Sequence, residues 1–141
     1  MTAGGAVRGL DVLIVEDQAY ISTLLRELLQ IAFPDCAIAE AGDAKRGLEL
    51  VRSRKPRLVL MDIVLPDANG INVAAQVKEI APATQVIMIT QLAGQAYEER
   101  ARAAGAVAYV LKERLQVDVL PLVARALGLP LRPELGGGSS S

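Results

Sequence analysis

The feature of this sequence that most constrains its fold is a set of three short, unbroken apolar runs. They are Val12–Val15, Leu58–Met61 and residues 86–89, and each is flanked by polar residues. Apolar runs without alternation are typical of strands that are buried on both faces, as in a parallel sheet. Two weaker candidates, at residues 36–41 and Ala108–Leu111, bring the predicted number of strands to five.

Segments with helical periodicity separate these strands. Apolar residues recur at helical spacing in residues 21–29 and, more loosely, in residues 44–51. A third helix is predicted to stop before Pro82 and a fourth at Gly105, because these residues commonly follow helix ends. A fifth helix therefore completes a regular alternation of strands and helices.

The fifth helix contains an internal proline. If Asp118 is the N-cap, Pro121 lies in the first turn, where its missing N–H costs nothing, and the helix ends at Gly128. Beside the row predicted to face the sheet, the helix carries a second apolar row: Val119, Leu122, Val123 and Ala126. A helix that is apolar nearly all round is usually covered on both sides, so a dimer partner or an output domain is expected here.

Alternating strands and helices predict a doubly wound α/β fold. We expect a five-stranded parallel sheet of order 2-1-3-4-5, flanked by five helices in a flavodoxin-like arrangement. Residues 10–128 form the predicted domain, and residues 1–9 an N-terminal tail. Residues 129–141 are rich in Gly, Ser and Pro, which is typical of a flexible tail or linker.

Composition excludes several chemistries. The 141 residues include no His and one Cys, which rules out His-dependent nucleophile pairs, a disulfide framework and an ordinary zinc site. The net charge of -1 argues against direct binding of nucleic acid or of a membrane surface. No apolar run is long enough for a membrane span, so we expect a cytoplasmic protein.

Polar residues follow the predicted strands and should meet at one edge of the sheet. They are Glu16 and Asp17 after the first strand, Asp62 after the third, Thr90 after the fourth and Lys112 after the fifth. No glycine-rich phosphate loop is present, whereas clustered carboxylates suit Mg²⁺. We therefore expect phosphoryl transfer to Asp62, with Glu16 and Asp17 holding the metal and with Thr90 and Lys112 contacting phosphoryl oxygens.

These residues resemble the receiver domains of two-component response regulators. The resemblance rests on the motifs at residues 12–17, 58–70, 86–90 and 105–112. It implies that Asp62 accepts a phosphoryl group from a phosphohistidine of a sensor histidine kinase or phosphotransfer protein. It also implies that the backbone carbonyl of Val64 joins Glu16, Asp17 and Asp62 around Mg²⁺.

The resemblance further implies how the signal travels. Thr90, Tyr109 and Lys112 would sense the phosphoryl group and relay it to the face formed by helix 4, strand 5 and helix 5. That face would contact an output domain or a second copy of the chain. The protein would then be a phosphoacceptor that assists its own phosphorylation and autodephosphorylation, not an enzyme acting on other molecules.

Two positions depart from the family pattern and leave alternatives open. Gln91 replaces the usual small residue after Thr90, which favours, as an alternative, a pseudo-receiver that binds partners without being phosphorylated. Glu113 replaces the usual Pro after Lys112, as in the subclass with a helix-turn-helix output domain that regulates transcription. A magnesium-dependent phosphatase is the third hypothesis, but Val64 stands where that class usually has a second carboxylate.

Overall fold

Five parallel strands form the centre of the protein, whose computed structural model describes residues 9–131. In chain order the strands are β1 (Val12–Val15), β2 (Ile38–Ala41), β3 (Leu58–Met61), β4 (Gln85–Thr90) and β5 (Ala108–Leu111). They are arranged in the order β2-β1-β3-β4-β5, all parallel, which confirms the predicted sheet. The carboxyl ends of β1 and β3 are in register, with Val15 beside Met61.

Four helices connect the strands, a fifth follows β5, and together they cover both faces of the sheet. They are α1 (Ala19–Ala32), α2 (Ala44–Arg54), α3 (Gly70–Ile80), α4 (Gln95–Ala103) and α5 (Leu115–Leu127). Buried residues of α2, α3 and α4 belong to the hydrophobic core on one face, and those of α1 and α5 to the core on the other. This is the doubly wound fold that the alternation of strands and helices predicted.

The unbroken apolar runs have a direct structural explanation. In β1, Leu13 and Val15 enter the core beneath α2 and α3, whereas Val12 and Ile14 enter the core beneath α1 and α5. Side chains of a strand alternate between faces, so a strand with a core on both sides needs an apolar residue at every position.

Some element boundaries differ from the predicted ones. Gln85 and Thr90 both belong to β4, because ladder hydrogen bonds depend on the backbone and not on side-chain polarity. Residue 36 lies outside β2, since the N–H of Cys36 donates to the carbonyl of Phe33 in a turn. The helix α4 ends at Ala103, before the turn through Gly105.

The predicted start of α5 is wrong. A short 3₁₀ turn over Lys112–Arg114 leads directly into α5 at the buried residue Leu115, so Asp118 lies inside the helix instead of capping it. The carboxylate of Asp118 pairs with Arg114, 3.1 Å away. Pro121 is consequently an interior residue of the helix, and it leaves the carbonyl of Val117 without its usual donor.

The second apolar row of α5 is largely covered by the domain itself. Val119 and Val123 are fully buried in the core shared with α1, whereas Leu122 and Ala126 are only partly buried. This row therefore requires no outside partner to cover it.

The C-terminal end of α5 is fixed by side chains from the amino ends of β3 and β4. Arg57 donates from Nη2 to the carbonyl of Leu127 at 2.7 Å, and Gln85 donates from Nε2 to the carbonyl of Ala126 at 2.7 Å. We call Arg57 and Gln85 the α5 clamp. Gly128 then adopts a left-handed conformation with φ of 67°, which ends the helix as predicted.

The predicted tails lie mostly beyond the residues described. Leu129 and Leu131 pack against the core beneath α1 and α5. Residues 1–8 and 132–141 of the two predicted tails fall outside the described residues. Within residues 9–131, none of the helices has the length and hydrophobicity that crossing a bilayer requires.

Candidate functional site

Three carboxylates meet at the carboxyl edge of the sheet. Glu16 and Asp17 follow β1, and Asp62 follows the neighbouring strand β3. One oxygen from each of the three lies within 4.8 Å of the others. Glu16 and Asp62 are each only 4% exposed, whereas Asp17 is open to solvent. The strand order thus brings together the three acidic residues that the sequence indicated.

Lys112 reaches this cluster from the end of β5. Its side chain is 7% exposed, and Nζ lies 2.9 Å from Oδ2 of Asp62 and 3.0 Å from Oε1 of Glu16. Burial alone would lower the pKa of Lys112, but the hydrogen bonds to Asp62 and Glu16 outweigh it and raise that pKa. The ammonium group therefore stays charged and offsets part of the negative charge of the cluster.

The two carboxylate oxygens of Glu16 have different surroundings. Its Oε2 accepts hydrogen bonds from the N–H of Gln18 at 3.0 Å and from Lys112 at 3.1 Å. Its Oε1 is buried and accepts no hydrogen bond from the described residues, although Lys112 is close. Burial, the largest influence, raises the pKa of Glu16. A cluster of three carboxylates that offers only oxygen ligands fits Mg²⁺.

The loop after Asp62 is tightly folded against the site. The N–H of Val64 donates to Oδ1 of Asp62 at 3.2 Å, and Val64 forms an isolated antiparallel bridge with Asn69. The backbone of Gly70 passes so close to Asp62 that a Cβ atom there would lie 1.9 Å from the carbonyl oxygen of Asp62. Only glycine allows this approach, which holds the loop around Asp62.

Asp67 in the same loop makes a contact that the sequence analysis missed. Its carboxylate accepts hydrogen bonds from the N–H groups of Ala44 at 2.8 Å and Lys45 at 3.1 Å, at the start of α2. The bond from Ala44 is the main reason why the pKa of Asp67 is lowered. The only signal in the sequence is an Asp after Pro66, which is common in turns and does not indicate a partner 23 residues away.

Thr90 and Tyr109 are connected through the backbone of Leu92. The N–H of Leu92 donates to Oγ1 of Thr90 at 3.2 Å, and the hydroxyl of Tyr109 donates to the carbonyl of Leu92. Thr90 is fully buried, and burial raises the pKa of the Tyr109 phenol. The peptide groups of Leu92 therefore link the end of β4 to the surface beside β5.

Gln91 and Gln18 lie at the margin of the site. Gln91 is exposed and lines a cavity of about 580 Å³ together with Tyr20 and Lys112. Gln18 accepts a hydrogen bond from Lys112 at 2.6 Å, a contact that the sequence analysis also missed. Its only signal was its position directly after Glu16 and Asp17.

Comparisons with known proteins agree with this geometry. Residues 12–123 match the family model described as "Response regulator receiver domain". A transcriptional regulatory protein, PdtaR of Mycobacterium tuberculosis, is 37% identical over 118 residues, which cover 82% of this chain and 56% of that protein. The chain therefore spans only about half the length of this relative.

Shorter relatives and solved structures match over most of their own length. The chemotaxis protein CheY of Halobacterium salinarum is 32% identical over 116 residues, which cover 82% of this chain and 95% of that protein. The crystal structure of a CheY-like receiver domain protein from Methanospirillum hungatei JF-1 has a TM-score of 0.77 and 28% identity. That match covers 85% of this chain and 94% of that one.

Proposed function

Because the chain belongs to the response regulator receiver domain family, we propose that it is a phosphorylation-dependent switch that accepts a phosphoryl group on Asp62. The observation that carries this proposal is the buried carboxylate of Asp62, which lies next to two further carboxylates and is hydrogen-bonded to Lys112. Buried carboxylates arranged in this way suit a divalent cation and a phosphoryl group better than any structural role.

In the proposed reaction, a carboxylate oxygen of Asp62 attacks the phosphorus of a phosphohistidine. An O–P bond forms, the P–N bond breaks, and the leaving imidazole keeps the electron pair and is protonated. Lys112 would release an oxygen of Asp62 and pair with a phosphoryl oxygen. The hydroxyl of Thr90, which accepts from Leu92, would donate its proton to another phosphoryl oxygen.

Glu16, Asp17 and Asp62, with the backbone carbonyl of Val64, are the residues that we propose to hold Mg²⁺. When bound, Mg²⁺ would supply charge neutralisation between the carboxylates and the incoming phosphoryl group. Oε1 of Glu16 supports this assignment, because it is buried and lies 3.0 Å from the Lys112 ammonium but accepts no hydrogen bond from the described residues, which leaves it able to bind a cation.

We propose that the phosphoryl donor is a histidine kinase or a phosphotransfer protein in the cytoplasm. The phosphorylated chain would act through the face formed by α4, β5 and α5 on an output domain or a second copy. We propose transcription as the output, because PdtaR is described as a transcriptional regulatory protein, and we propose that this chain itself binds no nucleic acid. Loss of the phosphoryl group to water would be assisted by the chain's own residues.

Intact mass after incubation with Mg²⁺ and acetyl phosphate tests this proposal. We expect the mass to rise by one phosphoryl group in the parent and to stay unchanged in Asp62→Asn, whose amide is nearly isosteric but not nucleophilic. Asp67→Asn is the control, since Asp67 lies in the same loop and, within residues 9–131, its carboxylate accepts hydrogen bonds from the backbone N–H groups of Ala44 and Lys45. An unmodified parent would favour the pseudo-receiver, and a modified Asp62→Asn would disprove the assignment of the acceptor.

A further inference from the structure

Gln18 occupies the N-cap position of α1 but does not cap the helix. Its backbone is extended, with φ of -82° and ψ of 109°, and its side chain makes no hydrogen bond to the first turn. Ser, Thr, Asp and Asn are favoured at this position because their side chains satisfy the free N–H groups. The Gln18 side chain instead extends toward the carboxylate cluster, where its amide oxygen accepts a hydrogen bond from Lys112.

Lys112 has three ammonium protons and three acceptor residues. Nζ donates to Gln18 at 2.6 Å, to Asp62 at 2.9 Å and to Glu16 at 3.1 Å, and the bond to Gln18 is the shortest. Two of these acceptors are carboxylates that belong to the proposed metal site. Gln18 is the only neutral acceptor among the three, and it is not part of the acidic cluster.

A bound cation would change the relative strengths of the three hydrogen bonds that Lys112 donates. Carboxylate oxygens of Glu16 and Asp62 that coordinate the cation are weaker hydrogen-bond acceptors for Lys112. The positive charge of the cation also repels the ammonium group of Lys112. The amide of Gln18 carries no net charge and offers its oxygen from outside the cluster. The hydrogen bond from Lys112 to Gln18 is therefore the one that cation binding weakens least.

We propose that Gln18 is a positioning residue that retains Lys112 beside Asp62 when Mg²⁺ occupies the carboxylates, so that the ammonium group meets the phosphoryl oxygens. This inference rests on the proposed function, because it assigns a role to Gln18 in that same site. It predicts that Gln18 affects the binding of a phosphoryl group without affecting the binding of the metal.

The test compares two affinities in one variant, Gln18→Met, which keeps the length of the side chain but removes the acceptor. Beryllofluoride, a phosphoryl mimic, is titrated at saturating Mg²⁺, and Mg²⁺ is titrated alone, both by calorimetry. We expect beryllofluoride to bind about tenfold more weakly, as for the loss of one charge-assisted hydrogen bond. We expect the Mg²⁺ affinity to stay within about twofold of the parent value.

Controls separate this role from a structural one. Gln30→Met places the same substitution at an exposed position of α1 and should change neither affinity. Gln18→Ala provides a second variant without the acceptor and should reproduce the weaker binding of beryllofluoride. The ¹⁵N signal of the Lys112 ammonium in the Mg²⁺ form should broaden or disappear in both Gln18 variants, because rapid solvent exchange follows loss of a hydrogen-bond partner.

Three results would overturn the inference. Unchanged beryllofluoride affinity in both Gln18 variants would show that Lys112 needs no such support. Equal losses of Mg²⁺ and beryllofluoride affinity would show that Gln18 shapes the metal site and not the position of Lys112. A parent protein that binds Mg²⁺ but no beryllofluoride would contradict the proposed function itself, and the inference with it.

Discussion

Lys112 is the residue on which the electrostatics of the acidic cluster depend. Two nearly buried carboxylates, those of Glu16 and Asp62, lie within 3.0 Å of its ammonium group. Removal of one member of a buried ion pair is expensive, because the remaining charge loses its partner without regaining water. The lysine that is proposed to bind the phosphoryl group thus also stabilises the protein when no cation is bound.

Lys112→Met should lower the free energy of unfolding by about 3 kcal/mol in metal-free buffer, since Glu16 and Asp62 are left without a counter-charge. Added Mg²⁺ should restore part of this loss, because a ligand that binds only the folded state stabilises it. Urea denaturation with and without Mg²⁺ measures both effects. Lys45→Met, at an exposed lysine of α2, is the control and should change little. An unchanged stability in metal-free buffer would contradict this view of Lys112.

Val64 and Leu92 bear on the lifetime of the phosphorylated state. Hydrolysis needs a water in line with the phosphoryl group on Asp62, and by family resemblance the side chains two residues after Asp62 and two after Thr90 can orient it. Val64 is 58% exposed and Leu92 is half-buried, but neither side chain can form a hydrogen bond. The attacking water therefore gains no orientation from either position.

We expect slow autodephosphorylation, and faster loss in the double variant Val64→Asn with Leu92→Glu, which supplies two polar groups. The phosphorylated fraction is followed by intact mass after the donor is removed. Val107→Asn, at an exposed apolar residue before β5, is the matched control and should leave the lifetime unchanged. Rapid loss in the parent, or equal lifetimes in the parent and the double variant, would refute this explanation.

Among the elements, α5 contains a residue whose intrinsic conformational preference opposes the helix that tertiary packing imposes. Pro121 is exposed and lies in the interior of the helix, where it provides no N–H for the carbonyl of Val117. The buried residues Val119 and Leu120 before Pro121 and Val123 after it hold the helix in place. Packing therefore maintains α5 against the preference of one of its own residues.

Pro121→Ala should raise the free energy of unfolding by about 1–3 kcal/mol, since proline is about 3 kcal/mol less favourable than alanine inside a helix. Thermal and urea denaturation measure the gain. Pro130→Ala is the control: Pro130 follows the end of α5, so its replacement should bring no gain. Equal effects of the two substitutions would mean that Pro121 does not interrupt the helix.

The elements also show what the sequence could predict. β1 and β3 match their apolar runs in full, because a strand with a core on both faces leaves no other pattern. The start of α5 could not be predicted, because it depends on a 3₁₀ turn that places the side chain of Leu115 in the core. Likewise Glu16, Asp17 and Asp62 follow from strand order, whereas the contacts of Gln18 and Asp67 depend on loop conformations that residue spacing does not determine.

On the scale of the whole molecule, the hydrogen bonds of Leu92 connect Thr90, at the end of β4, to Tyr109 in β5. Thr90 accepts from its N–H, and Tyr109 donates to its carbonyl. A Thr90 hydroxyl that turns toward a phosphoryl group would disturb the first bond and, through the same residue, the second. Tyr109, which belongs to β5, would then alter the face formed by α4, β5 and α5.

We expect beryllofluoride with Mg²⁺ to strengthen self-association or partner binding through this face. Light scattering reports the mass of the particle, and hydrogen exchange of residues 95–127 reports the conformation of the face. Asp62→Asn, which lacks the carboxylate that beryllofluoride requires, should respond in neither measurement. If both the mass and the exchange of the parent stay unaltered by the mimic, the coupling through Leu92 is wrong.

The α5 clamp has a mechanical consequence. Because the helix has 13 residues, it extends about 20 Å from the turn beside Lys112 to the carbonyls that Arg57 and Gln85 hold. If phosphorylation of Asp62 displaces α5, these two hydrogen bonds should keep the displacement smallest at Leu127 and leave it largest beside Lys112. Residues 129–131 follow α5 at the end of the sheet opposite Asp62, so the proposed phosphoryl donor would approach an edge that these three residues do not obstruct.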